Sequence, residues 1–121
     1  MKKNIWQTEP EEHDFPAALD FLSLLYPDNI AAEITDRLKQ ARTITKKAKD
    51  ILRASQLPLL PKENIHVRQD LQKVKKGKRL SPVLLVRAEK LIIADGYHRA
   101  CAIYYLSEDQ EIPCRITDKI I

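Results

Sequence analysis

The chain has 121 residues, 44% of them hydrophobic and 31% charged, which is the composition of one ordinary globular domain. Two glycines against seven prolines exclude collagen-like and low-complexity classes, and the apolar content is too high for a disordered chain. No apolar run reaches the roughly 18 residues that cross a bilayer, and the N-terminus lacks the apolar core of a signal peptide. We therefore expect a cytosolic protein without a membrane partner.

Charge is unevenly distributed along the chain, although the net charge is only +4. Residues 1–36 carry two lysines against eight acidic residues, residues 37–90 carry sixteen basic residues against four acidic ones, and residues 91–121 carry three against five. A basic middle segment indicates an anionic partner, such as a nucleotide, a nucleic acid or an acidic protein surface. A solvated coat of lysines on helix surfaces explains the same pattern equally well.

The cysteines and histidines indicate neither a disulfide framework nor a metal site. Cys101 and Cys114 lie in apolar segments, so we expect reduced, packed thiols. The histidines, His13, His66 and His98, are scattered, and none forms a ligand-spaced cluster with a cysteine or a carboxylate pair. No structural metal is expected.

The first 56 residues predict a polar arm followed by three helices. The arm covers residues 1–13 and is pinned, at most, by Trp6. Asp14 and Asp28 are the expected caps of the first two helices, and the third opens at a threonine. The predicted helices run from Phe15 to Tyr26, from Asp28 to Ala41, and from Thr43 or Thr45 through Leu52. This segment is expected to cover a sheet or to mediate contacts.

The second half predicts a small mixed sheet with one buried helix. Leu57 to Pro61, "LPLLP", is expected to be an edge strand or an extended connector, because its prolines remove ladder donors. Asn64 is the expected cap of a helix that ends at Gly77. The remaining elements are a hairpin of Val83–Val86 and Leu91–Ala94, a helix from Tyr97 to Leu106 that is apolar on nearly all sides, and a strand from Ile112 to Thr117. The fold class is therefore α+β, with residues 1–56 as the helical segment and residues 57–121 as the main domain of one compact unit.

The stretch from Leu91 to Cys101, "LIIADGYHRAC", combines an apolar strand, an Asp-Gly turn and a helix start. The first N–H groups of a helix have no intrahelical partner and lie at the positive end of its dipole, so they favour phosphate oxygens. Gly96 removes the Cβ that would block a close approach, Arg99 offers a forked donor, and His98 offers a second one. The combination suits a diphosphate or a triphosphate.

The same residues also have a purely structural interpretation. Asp95 then serves only as an N-cap, Gly96 only as a turn residue, and Arg99 only as the partner of Asp95 or Glu108. Strand-glycine-helix junctions are common, so the residues alone leave both interpretations open.

Two segments carry a resemblance to a known family. "LSPVLLV", at Leu80–Val86, resembles the "QPIVV" or "PPIDVLW" segment of the ParB/sulfiredoxin-like superfamily, and "DGYHRACA", at Asp95–Ala102, resembles its "GERR.RA" and "GGCHR" boxes. The resemblance covers about Leu57 to Thr117, and the order of elements agrees throughout. It implies a ParB/sulfiredoxin-like sheet with a buried helix.

The resemblance also implies a ligand, because this box binds ATP in sulfiredoxins, CTP in ParB proteins, and ATP or ADP in free-serine kinases. The expected cofactor is therefore ATP or CTP with Mg²⁺. Carried over by position, the phosphate-binding residues are Gly96, His98 and Arg99, flanked by Asp95 and Tyr97. The family's earlier helix supplies further nucleotide contacts, for which Arg68 and Gln72 occupy comparable positions.

The chain departs from the family at points that matter for catalysis. Tyr97 stands where sulfiredoxins have their nucleophilic cysteine, so sulfinic acid reduction is not expected, and Cys101 is expected to pack rather than react. The length leaves no room for both a helix-turn-helix reader and a dimerisation tail, so DNA partitioning is not expected. Among the carboxylates that could serve as a base or bind a metal, no spacing favours one over another: Asp95, Glu63, Asp70 and Glu89. The catalytic residues stay unassigned.

Three functions remain at this point. The first is a nucleotide-binding protein with regulatory or phosphotransfer activity. The second is a nucleic-acid-binding module or nuclease, with strong salt dependence. The third is a non-catalytic protein-interaction domain. For the second, the basic residues that would follow a phosphate backbone are Arg42, Lys46, Lys47, Arg53, Lys73, Lys75, Lys76, Lys78 and Arg79.

Overall fold

The computed structural model describes residues 4–120, so the first three residues of the predicted arm, and Ile121, lie outside the described residues. The described part contains five helices and four strands, which confirms the α+β class. The helices are α1 (Asp14–Leu22), α2 (Asp28–Gln40), α3 (Ala48–Ser55), α4 (Ile65–Lys75) and α5 (Tyr97–Leu106). The strands are β1 (Ile44–Lys47), β2 (Val83–Arg87), β3 (Leu91–Asp95) and β4 (Glu111–Asp118).

The four strands form one mixed sheet in the order β1-β4-β2-β3. β2 pairs with β3 and β1 pairs with β4 in antiparallel orientation, whereas β2 and β4 are parallel. The predicted hairpin, the buried helix α5 and the final strand are confirmed, each with ends within a residue or so of the expectation. Since α5 follows β3 directly, the sheet fixes where this helix starts.

The prediction that a helix opens at Thr43 or Thr45 was wrong. Residues Ile44–Lys47 form the edge strand β1 against Glu111–Cys114 of β4, and the helix begins only at Ala48. The prediction rested on a threonine cap and on the apolar residues at helical spacing from Ala48 to Leu52, but pairing with a distant strand decides the conformation, and β-branched Ile44 and Thr45 accommodate it. The sheet's fourth strand therefore comes from the N-terminal half, while the segment 57–61 is a connector without strand structure.

The sheet is covered by helices on both faces. On one face, α3, α4 and α5 pack through Ile51, Val67 and Ile103 against Leu85 and Ile93. On the opposite face, α1 and α2 pack against β2 and β3, and the large side chains that are fully buried there are Leu22, Ile34, Leu38, Leu84 and Val86. The expectation that the N-terminal helices cover the sheet is confirmed, and β2 is buried from both sides.

The N-terminal residues that the structure describes are attached to the domain. Trp6 is only 7% exposed and forms a parallel bridge with Leu80, next to the entry into β2. The predicted cap at Asp14 was wrong: His13 occupies the N-cap position, and α1 ends at Leu22, well before Tyr26. Pro27, rather than Asp28, is the N-cap of α2. Among residues 4–120, no helix has both the length and the apolar character that a membrane crossing requires.

Candidate functional site

A polar cavity of about 200 Å³ lies between α4 and the start of α5, at the end of β3. Its α4 side carries His66, Gln69, Asp70 and Lys73, and its α5 side carries Asp95, Gly96, His98 and Arg99. The cavity therefore holds four of the residues that the sequence analysis assigned to the phosphate site, and four that come from a separate helix.

Gly96 is the N-cap of α5, and its backbone has a φ of +111°. A Cβ at this position would lie 2.4 Å from Cγ1 of Val83 and 2.9 Å from Nη2 of Arg99. The glycine is therefore required by the close packing of the turn on β2 and by its left-handed backbone. This reason differs from the expected one, in which a side chain would have blocked the ligand. Because glycine has no side chain, the first N–H groups of α5 also lack a side-chain cap.

Arg99 already has a protein partner. Its Nη2 donates to Oδ2 of Asp95 at 2.9 Å and to the carbonyl oxygen of Pro82 at 3.3 Å, which confirms one of the two partners considered from the sequence. Its side chain is 16% exposed, and its Nε has no acceptor within the described range. Asp95 thus occupies one side of the guanidinium, while the cavity remains beside it.

The carboxyl of Asp95 has an unusual environment. Burial raises its pKa above the ordinary value, the guanidinium of Arg99 opposes that rise, and the neighbouring carboxyl of Asp14 adds to it. Asp14 lies at the start of α1 and is 2% exposed. The carboxyl of Asp95, which is 19% exposed and paired with Arg99, therefore lies beside the buried carboxyl of Asp14, an N-terminal residue that sequence reasoning did not connect with the site.

The α4 side of the cavity contributes one buried acid and exposed basic groups. Burial raises the pKa of Asp70, although Lys73, Arg99 and both imidazoles act in the opposite direction. The His66 and His98 rings lie with centroids 4.7 Å apart. Burial, assisted by the neighbouring His66, lowers the pKa of His98, so that this imidazole is neutral at pH 7 in the free protein.

The remaining predicted nucleotide contacts lie elsewhere. Tyr97 turns its hydroxyl to the carbonyl oxygen of Pro58 in the connector, and burial raises its pKa. Arg68 is exposed and does not line this cavity. Gln72 lines a second cavity, which adjoins the first along α4, and Arg68 does not line that one either. The face of α4 that meets α5 is offset by one residue from the expected pair. The spacing of His66, Asp70 and Lys73 at i, i+4 and i+7 is the pattern that would have identified it.

Part of the predicted basic cluster adjoins the site. A second cavity, of about 190 Å³, is lined by Gln69, Gln72, Lys73, Lys76 and Lys78. Gln69 and Lys73 line both cavities, so the two form a continuous polar surface along α4. Lys75 and Arg79 are exposed but line neither of them. Arg42, Lys46, Lys47 and Arg53 lie around β1 and α3, apart from this surface.

The other candidate acids and the two cysteines do not line the polar cavity. Glu89 bonds to Lys119 beside the β2–β3 turn, and Glu63 is exposed in the loop before α4. Both thiols are buried and free, as expected. Burial raises the pKa of Cys101, and it raises the pKa of Cys114 to about 11, so both thiols stay protonated and unreactive at neutral pH.

The prediction that no histidine forms a ligand-spaced cluster with a carboxylate pair was wrong for His13. Its Nε2 is 2.9 Å from Oε2 of Glu11 and 3.5 Å from Oδ1 of Asp14, and one ligand atom of each residue lies within 4.8 Å of the others. The sequence Glu11-Glu12-His13-Asp14 itself carries this pattern. The His13 side chain is 76% exposed, and such groups of acidic side chains at a surface are common without a bound ion.

Comparisons of this chain with protein-family models, with curated proteins and with solved structures returned no match.

Proposed function

We propose that the protein binds the phosphate groups of a nucleotide, of the ATP or CTP type, in the cavity at the start of α5. The observation that carries this proposal is an uncapped helix start beside a polar cavity with two cations and two imidazoles. The unpaired N–H groups and the helix dipole favour an anion. The resemblance of "DGYHRACA" to nucleotide-binding boxes supports the same ligand class.

The dimensions of the site are consistent with a nucleotide. A cavity of about 200 Å³ accommodates phosphate groups rather than a whole nucleotide. The adjoining cavity of about 190 Å³, which shares Gln69 and Lys73, supplies space for the sugar and base. The ligand is therefore proposed to extend from the start of α5 along the exposed side of α4.

The charge balance in the cavity predicts that Mg²⁺ assists binding. The carboxylates of Asp70 and Asp95 offset the charges of Lys73 and Arg99, so the N–H groups and the dipole of the helix start supply the net attraction for an anion. Carboxylate and phosphate oxygens are the ligands that Mg²⁺ prefers. A magnesium ion accompanying the phosphates would be held by these two carboxylates and would replace repulsion by attraction. We expect tighter nucleotide binding with Mg²⁺ than without it.

The test is calorimetric titration of ATP, ADP, CTP and GTP, with and without Mg²⁺. Replacement of Arg99 should weaken binding by roughly tenfold to a hundredfold, since a charged hydrogen bond contributes about 1.5–3 kcal/mol. Because Arg99→Gln alone would leave Asp95 unpaired, the double variant Arg99→Gln, Asp95→Asn tests affinity without that cost. Lys73→Gln should weaken binding by a few-fold, and Lys75→Gln, on the same helix but outside the cavity, should not. If the wild-type chain shows no heat of binding with any of the four nucleotides, with or without Mg²⁺, the proposal is overturned.

A second candidate is nucleic-acid binding, favoured by the continuity of the two cavities through Lys73 to Lys76 and Lys78. Binding to duplex and single-stranded DNA would then fall steeply with salt. Lys76→Glu should reduce it more than Lys75→Glu, because only Lys76 lines the surface. Nucleic-acid binding that depends on Lys76, with no binding of free nucleotides, would favour this candidate over the first.

A further inference from the structure

An apolar cleft opens at the opposite end of β3 from the polar cavity. It has a volume of about 210 Å³, and α3 and all four strands contribute to it. Leu85, which is fully buried, and Ile51, which is 2% exposed, belong to its lining, so the cleft reaches the core. Leu91 and Ile116 also line it and remain partly exposed. Apolar surface is therefore accessible here to a small molecule.

The rim of the cleft carries three charged side chains, of which two already have partners. Arg87 bonds to Asp118 at 3.3 Å, and Asp50 pairs with Arg53 at 3.4 Å. The third is Lys46. Its neighbours Lys47 and Lys49 lie 4.0 Å and 2.8 Å from Asp109, whereas Lys46 has no carboxylate oxygen within that range among residues 4–120. The rim thus offers one cation whose charge is not balanced by a close partner.

We propose that this cleft binds a small apolar monocarboxylate, with its hydrocarbon part against Leu85, Leu91 and Ile116 and its carboxylate paired with Lys46. The volume limits the ligand to a ring or branched chain with a short tail, since an engineered cavity of about 150 Å³ holds benzene. The apolar floor offers no group that would bind several phosphates, so this ligand class differs from that of the polar cavity. The site is independent of the proposed nucleotide site.

The test titrates the wild-type chain with 3-phenylpropionate and, separately, with its uncharged amide, 3-phenylpropionamide. Binding is monitored through the NMR signals of the backbone N–H groups. We expect shifts around Ile51, Leu85 and Ile116, with a dissociation constant on the order of 1 to 10 mM for the acid. The amide should bind about two- to fivefold more weakly, because an exposed ion pair contributes little.

Two variants separate the contributions of charge and cavity. Lys46→Gln should weaken binding of the acid to the level of the amide and leave the amide unchanged, while Lys47→Gln, outside the cleft, should alter neither. Ala54→Trp places an indole at an exposed position in the cleft wall and should remove binding of both probes. Ala32→Trp, an exposed alanine of α2 on the other face of the sheet, is its control. Thermal melting of each variant verifies folding.

Equal affinity of the acid and the amide would overturn the assignment of an anionic ligand. Shifts confined to residues 96–99 would overturn the site itself. So would the absence of shifts with about 20 mM of the acid, a concentration above the expected dissociation constant. Because nucleotide binding is measured at the other end of β3, Lys46→Gln and Ala54→Trp should leave it unchanged, and its failure would not affect this result.

Discussion

At the residue scale, Asp95 has the strongest influence on what the polar cavity can bind. It pairs with Arg99 and lies beside Asp14, so a phosphate must compete with a resident carboxylate for the guanidinium. The structural and functional interpretations of Arg99 are therefore not exclusive. In the proposed site, the ion pair with Asp95 would orient the guanidinium of Arg99 toward a phosphate and neutralise part of its charge.

Asp95→Asn is predicted to strengthen phosphate binding. The amide removes a negative charge beside the cavity and leaves the guanidinium of Arg99 freer to donate to phosphate oxygens. Without Mg²⁺, we expect the affinity for pyrophosphate to rise by severalfold, up to about tenfold for about 1.4 kcal/mol of removed repulsion. Calorimetric titration of wild type and variant in the presence of a chelator measures it, and Asp36→Asn on α2 is the control. Equal or weaker binding by Asp95→Asn under these metal-free conditions would contradict the prediction.

Asp70→Asn is predicted to change the pH dependence of stability. Because burial raises the folded-state pKa of Asp70, the folded chain binds its proton more tightly than the unfolded chain does. The resulting stability is fully present below the unfolded pKa and is lost as pH rises through the folded pKa. The asparagine variant should therefore have a higher free energy of unfolding than wild type at pH 7, and the difference should shrink as pH falls through the raised folded-state pKa and vanish below the unfolded value of about 4.

The chain offers a matched control for this measurement. Asp36 and Lys39 are related as Asp70 and Lys73 are, three residues apart with closest atoms at 4.0 Å, but the side chain of Asp36 is 67% exposed and that of Asp70 is 12% exposed. Asp36→Asn should shift stability by only a few tenths of a kcal/mol, about the value of an exposed pair, at any pH. Urea denaturation at several pH values supplies both series. A Asp70→Asn variant that is less stable than wild type at pH 7 contradicts the prediction.

At the element scale, the site depends on two helix starts that are built differently. Asn64 caps α4 through its side chain, which accepts from the N–H groups of His66 and Val67 at 3.0 Å and 3.2 Å. α5 begins at Tyr97 and has Gly96 as its N-cap, which supplies no side-chain acceptor. The first N–H groups of α4 are thus partly satisfied by its own cap, while the start of α5 faces the polar cavity without a side-chain cap.

Gly96→Ala is predicted to destabilise the fold through two separable effects. The left-handed backbone costs about 1–3 kcal/mol for a residue with a Cβ, and overlap with Val83 adds about 1–3 kcal/mol. Gly77→Ala, at an exposed position with a φ of +80°, isolates the backbone effect. Val83→Ala should recover part of the loss in the double variant, because it makes room for the new methyl group. Chemical denaturation measures the stability of wild type, Gly96→Ala, Gly77→Ala, Val83→Ala and the Gly96→Ala, Val83→Ala double variant. Additive effects of Gly96→Ala and Val83→Ala would exclude the overlap.

At the scale of the whole molecule, one sheet is stabilised by segments from both halves of the chain. β1 forms the edge beside β4, the N-terminal helices cover one face, and Trp6 packs at Leu80 where the chain enters β2. The N-terminal third is therefore part of the structure that positions the site, and Asp14 reaches the site from it.

Trp6→Ala is predicted to cost about 3–5 kcal/mol of unfolding free energy, the range for a large core aromatic. Trp6→Phe should cost clearly less, because the Nε1 group of Trp6 is buried without a hydrogen-bond acceptor in the described part of the chain. Replacing it by a ring without a donor removes an unsatisfied polar group. Thermal and urea denaturation provide the values. Equal losses for both variants, or a loss under about 1 kcal/mol for alanine, would show that the arm contributes little.

The sequence by itself determined the elements whose partners are local. Alternating and near-continuous apolar runs, the cap at Asn64 and the apolar helix after Gly96 sufficed to locate the hairpin, α4, α5 and the α5 side of the cavity. Each of these depends on side chains within a few residues, so periodicity and turn chemistry identify them.

Tertiary structure alone decided the rest. β1 is a strand because β4, more than sixty residues later, supplies its hydrogen-bonding partners. The four residues of β1, two of them lysines, carry no local pattern that indicates a strand. Likewise, helical periodicity defined a core face for α4 but not which polar flank faces the start of α5. Arg68 and Gln72 were therefore expected at the cavity, where the structure has Gln69 and Lys73. The pairing of Arg99 with Asp95 is local and could be considered from the sequence, whereas the approach of Asp14 to Asp95 depends on the packing of α1 against β3, which composition and spacing do not encode.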